Sequence, residues 1–195
     1  MKKRLLLFVL LLNSFLFYCQ EKNNDTIFIK NEKHHKIYIE KNRNSDWYKY
    51  IAEFRDFNTE FSSEKIIQFG LKSRWMRIYK YQGEYFLYAP CDWMYDTKII
   101  MNDTKFQIQN SETVIFDIKS IKKSTDNIFI KCKNPSNKEK TLLKIHPVDK
   151  NLGIYEFIFS DKFETYKYLM LDADNYLNYD IIVNYCTDSK TNEFF

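Results

Sequence analysis

Apolar and polar residues alternate along most of this chain in short segments that are separated by clusters of Asn, Asp, Ser and Gly. Alternation with a period of two is typical of strands that bury one face. Short loops favour antiparallel pairing, because parallel neighbours need long crossover connections, usually helices. We therefore predict an all-β, antiparallel fold of about ten strands, closed as a barrel or, as the alternative, stacked as a β-sandwich. The clearest predicted strands are 26–30, 36–40, 97–101, 104–109, 113–121, 127–133, 140–146, 153–160, 166–171 and 180–186.

The segment 74–101 contains two aromatic runs that meet at Gln82 and Gly83. Glycine at the second loop position allows the positive φ that a two-residue hairpin turn requires. Both faces of this hairpin carry large apolar groups, which predicts a central position in the sheet or a bound ligand. With this turn, the facing pairs are Tyr81–Glu84, Tyr79–Phe86, Ile78–Leu87 and Met76–Ala89.

Residues 47–57 allow two interpretations. Tyr48, Tyr50 and Ala52 alternate as in a strand, whereas Trp47 and Ile51 have helical spacing. We favour the strand because aromatic and β-branched residues dominate the segment. A short helix is predicted at 63–70, ending at Gly70.

The N-terminus has three basic residues followed by an apolar run from Leu5 to Tyr18. This order predicts a secretory signal peptide, which is too short for a comfortable membrane span. We divide the chain into a signal peptide at 1–19, a tether at 20–25 and a single β domain at 26–195.

The segment Leu16-Phe17-Tyr18-Cys19 resembles a bacterial lipoprotein box, in which the cysteine is acylated. We favour lipidation of Cys19, which would make the chain an outer-membrane lipoprotein or a periplasmic protein anchored by its acyl chains. Ordinary cleavage near Cys19, giving a soluble secreted protein, is the alternative.

The chain has 30 basic and 26 acidic residues. Removal of the signal peptide leaves 27 basic and 26 acidic residues, a net charge of +1. A nearly neutral protein gives no electrostatic reason to expect nucleic-acid binding. We interpret the lysine-rich segments 119–123 and 138–144 as the solvated edges of strands.

No residue pattern in the chain predicts catalysis, and we expect no enzyme. An exported protein can pair two of Cys91, Cys132 and Cys186 in a disulfide, but sequence does not choose the pair. Their spacing does not fit a zinc site. The acidic segment 172–183 fails as a calcium loop because Leu177 replaces the required Gly and Val183 the required Glu. We therefore predict no metal and no cofactor.

The aromatic residues are the remaining candidates for a binding site. Aromatics make up 18% of the chain, enough to line a cavity or to form a stacking surface for an apolar ligand. Simple core packing is the alternative interpretation. The candidate ligand-lining side chains are Trp75, Tyr79, Tyr81, Phe86, Tyr88 and Trp93.

The segments 79–93 (YKYQGEYFLYAPCDW), 168–172 (YLMLD) and 180–186 (DIIVNYC) resemble small exported proteins and lipoproteins of Bacteroidota, a family that implies no particular activity. The length and strand number also resemble, more remotely, lipocalin-like β-barrels. Together these features predict an exported, lipid-anchored binding module for a small apolar molecule or a component of the cell envelope. The alternative is a non-catalytic partner protein of the inhibitor or immunity type, which binds another envelope protein.

Overall fold

The computed structural model describes residues 26–55, 68–91, 97–110, 112–187 and 194–195. The predicted signal peptide, Cys19 and the tether lie outside these residues. The described part contains one α-helix, α1 (Asp46–Arg55), and short 3-10 helices at Gln68–Gly70 and Ala173–Asn178. The strands are β1 (Thr26–Asn31), β2 (His35–Glu40), β3 (Arg74–Arg77), β4 (Tyr79–Tyr81), β5 (Glu84–Ala89), β6 (Lys98–Met101), β7 (Lys105–Gln109), β8 (Thr113–Ser124), β9 (Asn127–Lys133), β10 (Lys140–Asp149), β11 (Ile154–Ser160), β12 (Thr165–Asp172) and β13 (Ile181–Cys186).

Eight strands close into an antiparallel barrel. Around the barrel they run in the order β3, β6, β7, β8, β9, β10, β11 and β12, and β12 pairs with β3 to complete the ring. Each strand therefore lies beside its neighbour along the chain, except where β4 and β5 leave the barrel between β3 and β6. The prediction of a mostly β protein with a barrel is confirmed.

Five strands form a second sheet in the order β1-β2-β13-β5-β4. We did not predict this sheet. One of its pairs, β13 with β5, is parallel, with Ile181 opposite Leu87. The expectation of purely antiparallel pairing is wrong here because the connection between these two strands is most of the barrel, rather than a crossover helix.

The central hairpin crosses from one sheet to the other. Its turn at Gln82 and Gly83 is confirmed, as are the pairs Tyr81–Glu84 and Tyr79–Phe86. The predicted pairs Ile78–Leu87 and Met76–Ala89 are wrong. β3 instead pairs with β12 and β6, placing Met76 opposite Leu171 and Lys98 in the barrel. The first arm of the hairpin therefore contributes one strand to each sheet.

The strand predicted at 47–57 is wrong, because Asp46–Arg55 forms α1. Tyr48 and Ile51, three residues apart, lie on one helical face and are 2% and 3% exposed. They pack against the inner surface of the second sheet, and this burial at helical spacing outweighs the β propensity of the aromatic residues. Of the helix predicted at 63–70, the described part is a 3-10 turn at Gln68–Gly70; residues 63–67 lie outside the described part.

The barrel interior is filled by side chains. Phe106, Phe157, Ile99 and Leu143 point inward and are 0% exposed, and the rings of Phe106 and Phe116 stack with centroids 4.5 Å apart. The outer wall of the barrel packs against α1 and the inner face of the second sheet in a separate apolar layer. The interior thus serves as the core of the fold, which leaves the outer surfaces for a functional site.

Within the residues that the structure describes, no helix has the length and apolar character needed to cross a membrane.

Candidate functional site

An aromatic surface covers the side of the second sheet that faces away from the barrel. We call Tyr79, Tyr81, Phe86 and Tyr88 the aromatic face. The strand period of two explains it: β4 and β5 turn these four rings outward, while Leu87 and Ala89 point inward to the layer against the barrel. Both sides of β5 are apolar because both are covered, although the hairpin is not central in its sheet, since β4 is an edge strand. The outward surface continues onto Ile182 of β13 and Ile37 of β2.

Phe194 and Phe195 lie on the aromatic face. The ring of Phe195 stacks on Tyr79, with centroids 4.6 Å apart, and meets Tyr88 edge-on at 5.1 Å. The ring of Phe194 is 5.3 Å from that of Tyr81, in a T-shaped arrangement. The backbone N–H of Phe194 donates a hydrogen bond of 3.0 Å to the Tyr88 hydroxyl. The aromatic face therefore contacts both the rings and the backbone of an apolar segment.

A chain of polar groups lies beside the rings. Lys30 Nζ is 3.1 Å from His35 Nδ1, and His35 Nε2 is 2.6 Å from Asn184 Oδ1. The Asn184 amide nitrogen donates to the Tyr88 hydroxyl at 2.9 Å. Because an ammonium can only donate, His35 accepts at Nδ1 and donates from Nε2 to Asn184, which fixes its tautomer. Asn184 is 1% exposed, so these bonds satisfy a buried amide and orient the Tyr88 hydroxyl that binds Phe194.

A disulfide between Cys91 and Cys186 lies at the end of this surface. Cys91 follows β5, Cys186 ends β13, and their Cα atoms are 5.6 Å apart. The bond links the two parallel strands that carry Tyr88 and Asn184. Cys132 is the third cysteine; it is buried in the barrel, and burial raises the pKa of its thiol to about 12.

The structure brings together four of the six predicted ligand-lining residues. Trp75 is inside the barrel, 5.0 Å from Phe157 between ring centroids, and its indole N–H donates to the Lys72 carbonyl at 2.9 Å. Trp93 lies outside the described residues, as does the proposed lipidation site Cys19.

A second polar cluster joins α1 to the start of β13. Arg43 forms a 2.7 Å ion pair with Asp180, and the Tyr48 hydroxyl donates to the Tyr179 carbonyl at 2.7 Å. Burial raises the pKa of the Tyr48 phenol above its ordinary value and that of Tyr179 to about 12, so both phenols stay neutral. The members of the cluster satisfy one another, and we assign it a structural role.

The acidic segment that begins at Asp172 caps a 3-10 helix. The Asp172 carboxylate accepts a hydrogen bond from the Asp174 backbone N–H at 3.1 Å and lies 3.3 Å from Lys72 Nζ. The attraction of Asp172 raises the pKa of Lys72. In the part of the chain that the structure describes, no group of three or more His, Cys, Asp or Glu side chains could hold a metal ion.

Sequence reasoning missed two parts of this site. Phe194 and Phe195 are adjacent apolar residues after a polar segment, a pattern that could have indicated a docked segment. His35 and Asn184 gave no signal, because only the pairing of β2 with β13 brings them together.

Comparison with known proteins finds no matching family model, no similar curated protein and no similar solved structure.

Proposed function

We propose that this protein is an exported, lipid-anchored β-barrel binding module, without a catalytic role, whose aromatic face takes an apolar, ring-bearing ligand or segment of a cell-envelope component. The observation that carries the proposal is the docking of Phe194 and Phe195 on Tyr79, Tyr81 and Tyr88. Edge-to-face and stacked ring contacts each contribute about 0.5–1.5 kcal/mol beyond area burial. A surface that holds two phenylalanines in this way is chemically suited to rings from another molecule.

Competition between Phe194–Phe195 and an external ligand is part of this function. Tyr79, Phe86 and Tyr88 are buried, whereas Phe195, which covers part of them, is itself 43% exposed. An incoming ring would take the same contacts on Tyr79 and Tyr88. The rest of the site, including the Tyr88 hydroxyl held by Asn184, remains preorganised when the two phenylalanines leave.

The test is the binding of N-phenyl-1-naphthylamine, a neutral aromatic dye, followed by fluorescence. Phe194→Ala/Phe195→Ala should vacate the aromatic face and give saturable dye binding that is stronger than that of the wild type. Adding Tyr79→Ala to this variant should reduce the increase in dye binding, because it removes one of the rings that the dye would contact. Phe163→Ala is the matched control, because Phe163 is 76% exposed in the loop between β11 and β12.

Equal dye binding by the wild type and the vacated variant would refute the aromatic face as a ligand site. Far-UV circular dichroism and urea midpoints must show that every variant is folded. If Phe163→Ala produced the same gain, the dye would be reporting general loosening of the protein.

The second candidate function, a partner protein that binds another envelope protein, is favoured by the edge of the same sheet. β1 is an edge strand, and Ile27 and Phe28 on it are 48% and 50% exposed. Exposed edges of this kind can accept a strand from another chain. With an envelope extract of the host, hydrogen exchange should then slow in β1, and Ile27→Lys/Phe28→Lys should abolish that protection. Slower hydrogen exchange in β5 alone would instead favour binding at the aromatic face.

The proposed location rests on the N-terminal sequence. Acylation of Cys19 would attach the domain to the membrane through the tether at 20–25. Intact mass spectrometry of protein purified from its host envelope should show a diacylglyceryl adduct on Cys19. An unmodified N-terminus at or near Gln20 would refute the anchor and favour a soluble secreted protein.

A further inference from the structure

Four lysines surround a cleft on the barrel, away from the aromatic face. The cleft lies across β8, β9 and β10 beside the end of β11 and has a volume of about 460 Å³. We define the lysine cleft as Lys119, Lys131, Lys133, Lys140, Leu142 and Ser160, which lie on its wall. The sequence spreads these lysines over three segments, and we interpreted two of the segments as solvated strand edges. The barrel brings their side chains to one place.

The strand register places like charges next to each other. Lys133 is directly opposite Lys140 in the β9–β10 pair, and Lys131 is opposite Leu142. Like charges directly opposite each other on a sheet are destabilising. In the described part of the chain, the ammonium groups of Lys131, Lys133 and Lys140 form no ion pair. Asp117 lies opposite Lys133 in the β8–β9 pair, but its carboxylate is 3.2 Å from the ammonium of Lys119. An anion between the unpaired lysines would remove this repulsion.

The acidic groups around the cleft have partners of their own. The Asp161 carboxylate accepts hydrogen bonds from the backbone N–H groups of Phe163 and Glu164 at 2.7 and 3.0 Å, which lowers its pKa. Glu139 lies 3.7 Å from Lys162 and accepts a hydrogen bond from the Asn137 side chain. Neither carboxylate forms an ion pair with Lys133 or Lys140, and the four lysines of the cleft outnumber Asp161, the one carboxylate among its lining residues, so the cleft keeps a net positive charge.

The floor of the cleft is apolar. Leu142 is 38% exposed between Lys131 and Ser160, and the buried Cys132 also lines the cleft. The methylene stems of the lysines extend this surface. A bare inorganic anion would leave the floor in contact with water, whereas a ligand that carries an alkyl chain would cover it.

We propose that the lysine cleft binds a single-chain anionic amphiphile, with its phosphate or carboxylate head between Lys133 and Lys140 and its alkyl chain on Leu142. The head supplies the charge that the facing lysines lack, and the chain covers the exposed leucine. This site shares no residue with the aromatic face, so the inference does not depend on the proposed function.

Isothermal titration calorimetry of the folded, oxidised protein with decyl phosphate, kept below its micellar concentration, tests the proposal. We expect one saturable site. Inorganic phosphate should bind at least about tenfold more weakly because it cannot use the floor, and decyl maltoside, which has a neutral head, should not bind. Lys133→Gln/Lys140→Gln and, separately, Leu142→Asn should each weaken decyl phosphate binding about tenfold or more.

The matched control is Lys122→Gln/Lys123→Gln, which removes the same charge from the exposed part of β8 next to the turn into β9, outside the cleft. Its affinity should stay within about twofold of the wild type. Equal losses in both lysine variants would show non-specific attraction and overturn the proposal. Equal affinity for inorganic phosphate, no binding at all, or binding only to vesicles of anionic phospholipid would also overturn it. Urea midpoints near that of the wild type are required of each variant.

Discussion

Removing the disulfide between Cys91 and Cys186 should destabilise the protein strongly. The perturbation is Cys91→Ser/Cys186→Ser, which leaves the buried Cys132 in place. The bond connects the ends of β5 and β13, and the chain between them forms most of the barrel. Without it, the unfolded chain gains freedom that the folded protein does not.

The size of the effect follows from the length of the loop that the bond closes. The two cysteines are separated by 95 residues. Loop-closure entropy for a loop of that length corresponds to about 4.7 kcal/mol at 25 °C, and removal of native disulfides typically costs about 2–5 kcal/mol. The disulfide lies beside a short ladder, in which three residue pairs join β5 to β13. We therefore expect the free energy of unfolding to fall by about 2–5 kcal/mol.

Urea denaturation followed by tryptophan fluorescence and circular dichroism measures this change. The oxidised wild type is compared with the double variant and with wild type reduced by a phosphine. Reduced wild type should match the double variant, because both lack only the cross-link. A change below about 1 kcal/mol, or reduced and oxidised wild type with the same midpoint, would refute the reasoning.

Three further predictions concern the cores and a turn. Tyr48→Phe removes the hydroxyl that donates to the Tyr179 carbonyl, and the free energy of unfolding should fall by about 1–3 kcal/mol; a change near zero would mean that water replaces the bond. The Cys132 thiol, whose pKa is raised to about 12, should resist iodoacetamide at pH 8 until the protein unfolds, and rapid labelling of native protein would contradict its burial. Gly153→Ala should destabilise more than Gly83→Ala in thermal unfolding, because both glycines have positive φ but only at Gly153 would the new methyl group collide with the Asn175 side chain.

The sequence was a good guide where local chemistry decides the structure. The turn at Gln82 and Gly83 follows from the backbone freedom of glycine, and both residues have positive φ. Strands such as 127–133, with inward Ile128 and Ile130, were predicted because one face of each is buried. These features depend on residues near one another along the chain.

Long-range packing decided the features that the sequence did not predict. The segment of α1 contains alternating aromatic residues that favour a strand, yet Tyr48 and Ile51 are buried together only because β13 and the barrel wall lie beneath them. The parallel pairing of β5 with β13 likewise depends on a contact between two strands that are separated along the chain by most of the barrel. Neither His35 with Asn184 nor Lys133 with Lys140 could be paired without the strand register.

The partition of the aromatic residues explains why the two proposed sites lie outside the barrel. An eight-stranded barrel is just wide enough for side chains to fill, and here Trp75, Phe106 and Phe157 fill it. Such rings stabilise the fold but are not accessible to a ligand. β4 and β5 leave the barrel, and their outward rings, including Tyr79 and Tyr88, have a sheet on only one side. The excursion of this hairpin therefore places part of the aromatic content on a surface outside the barrel, where Phe194 and Phe195 cover it and where we propose that a ligand competes with them.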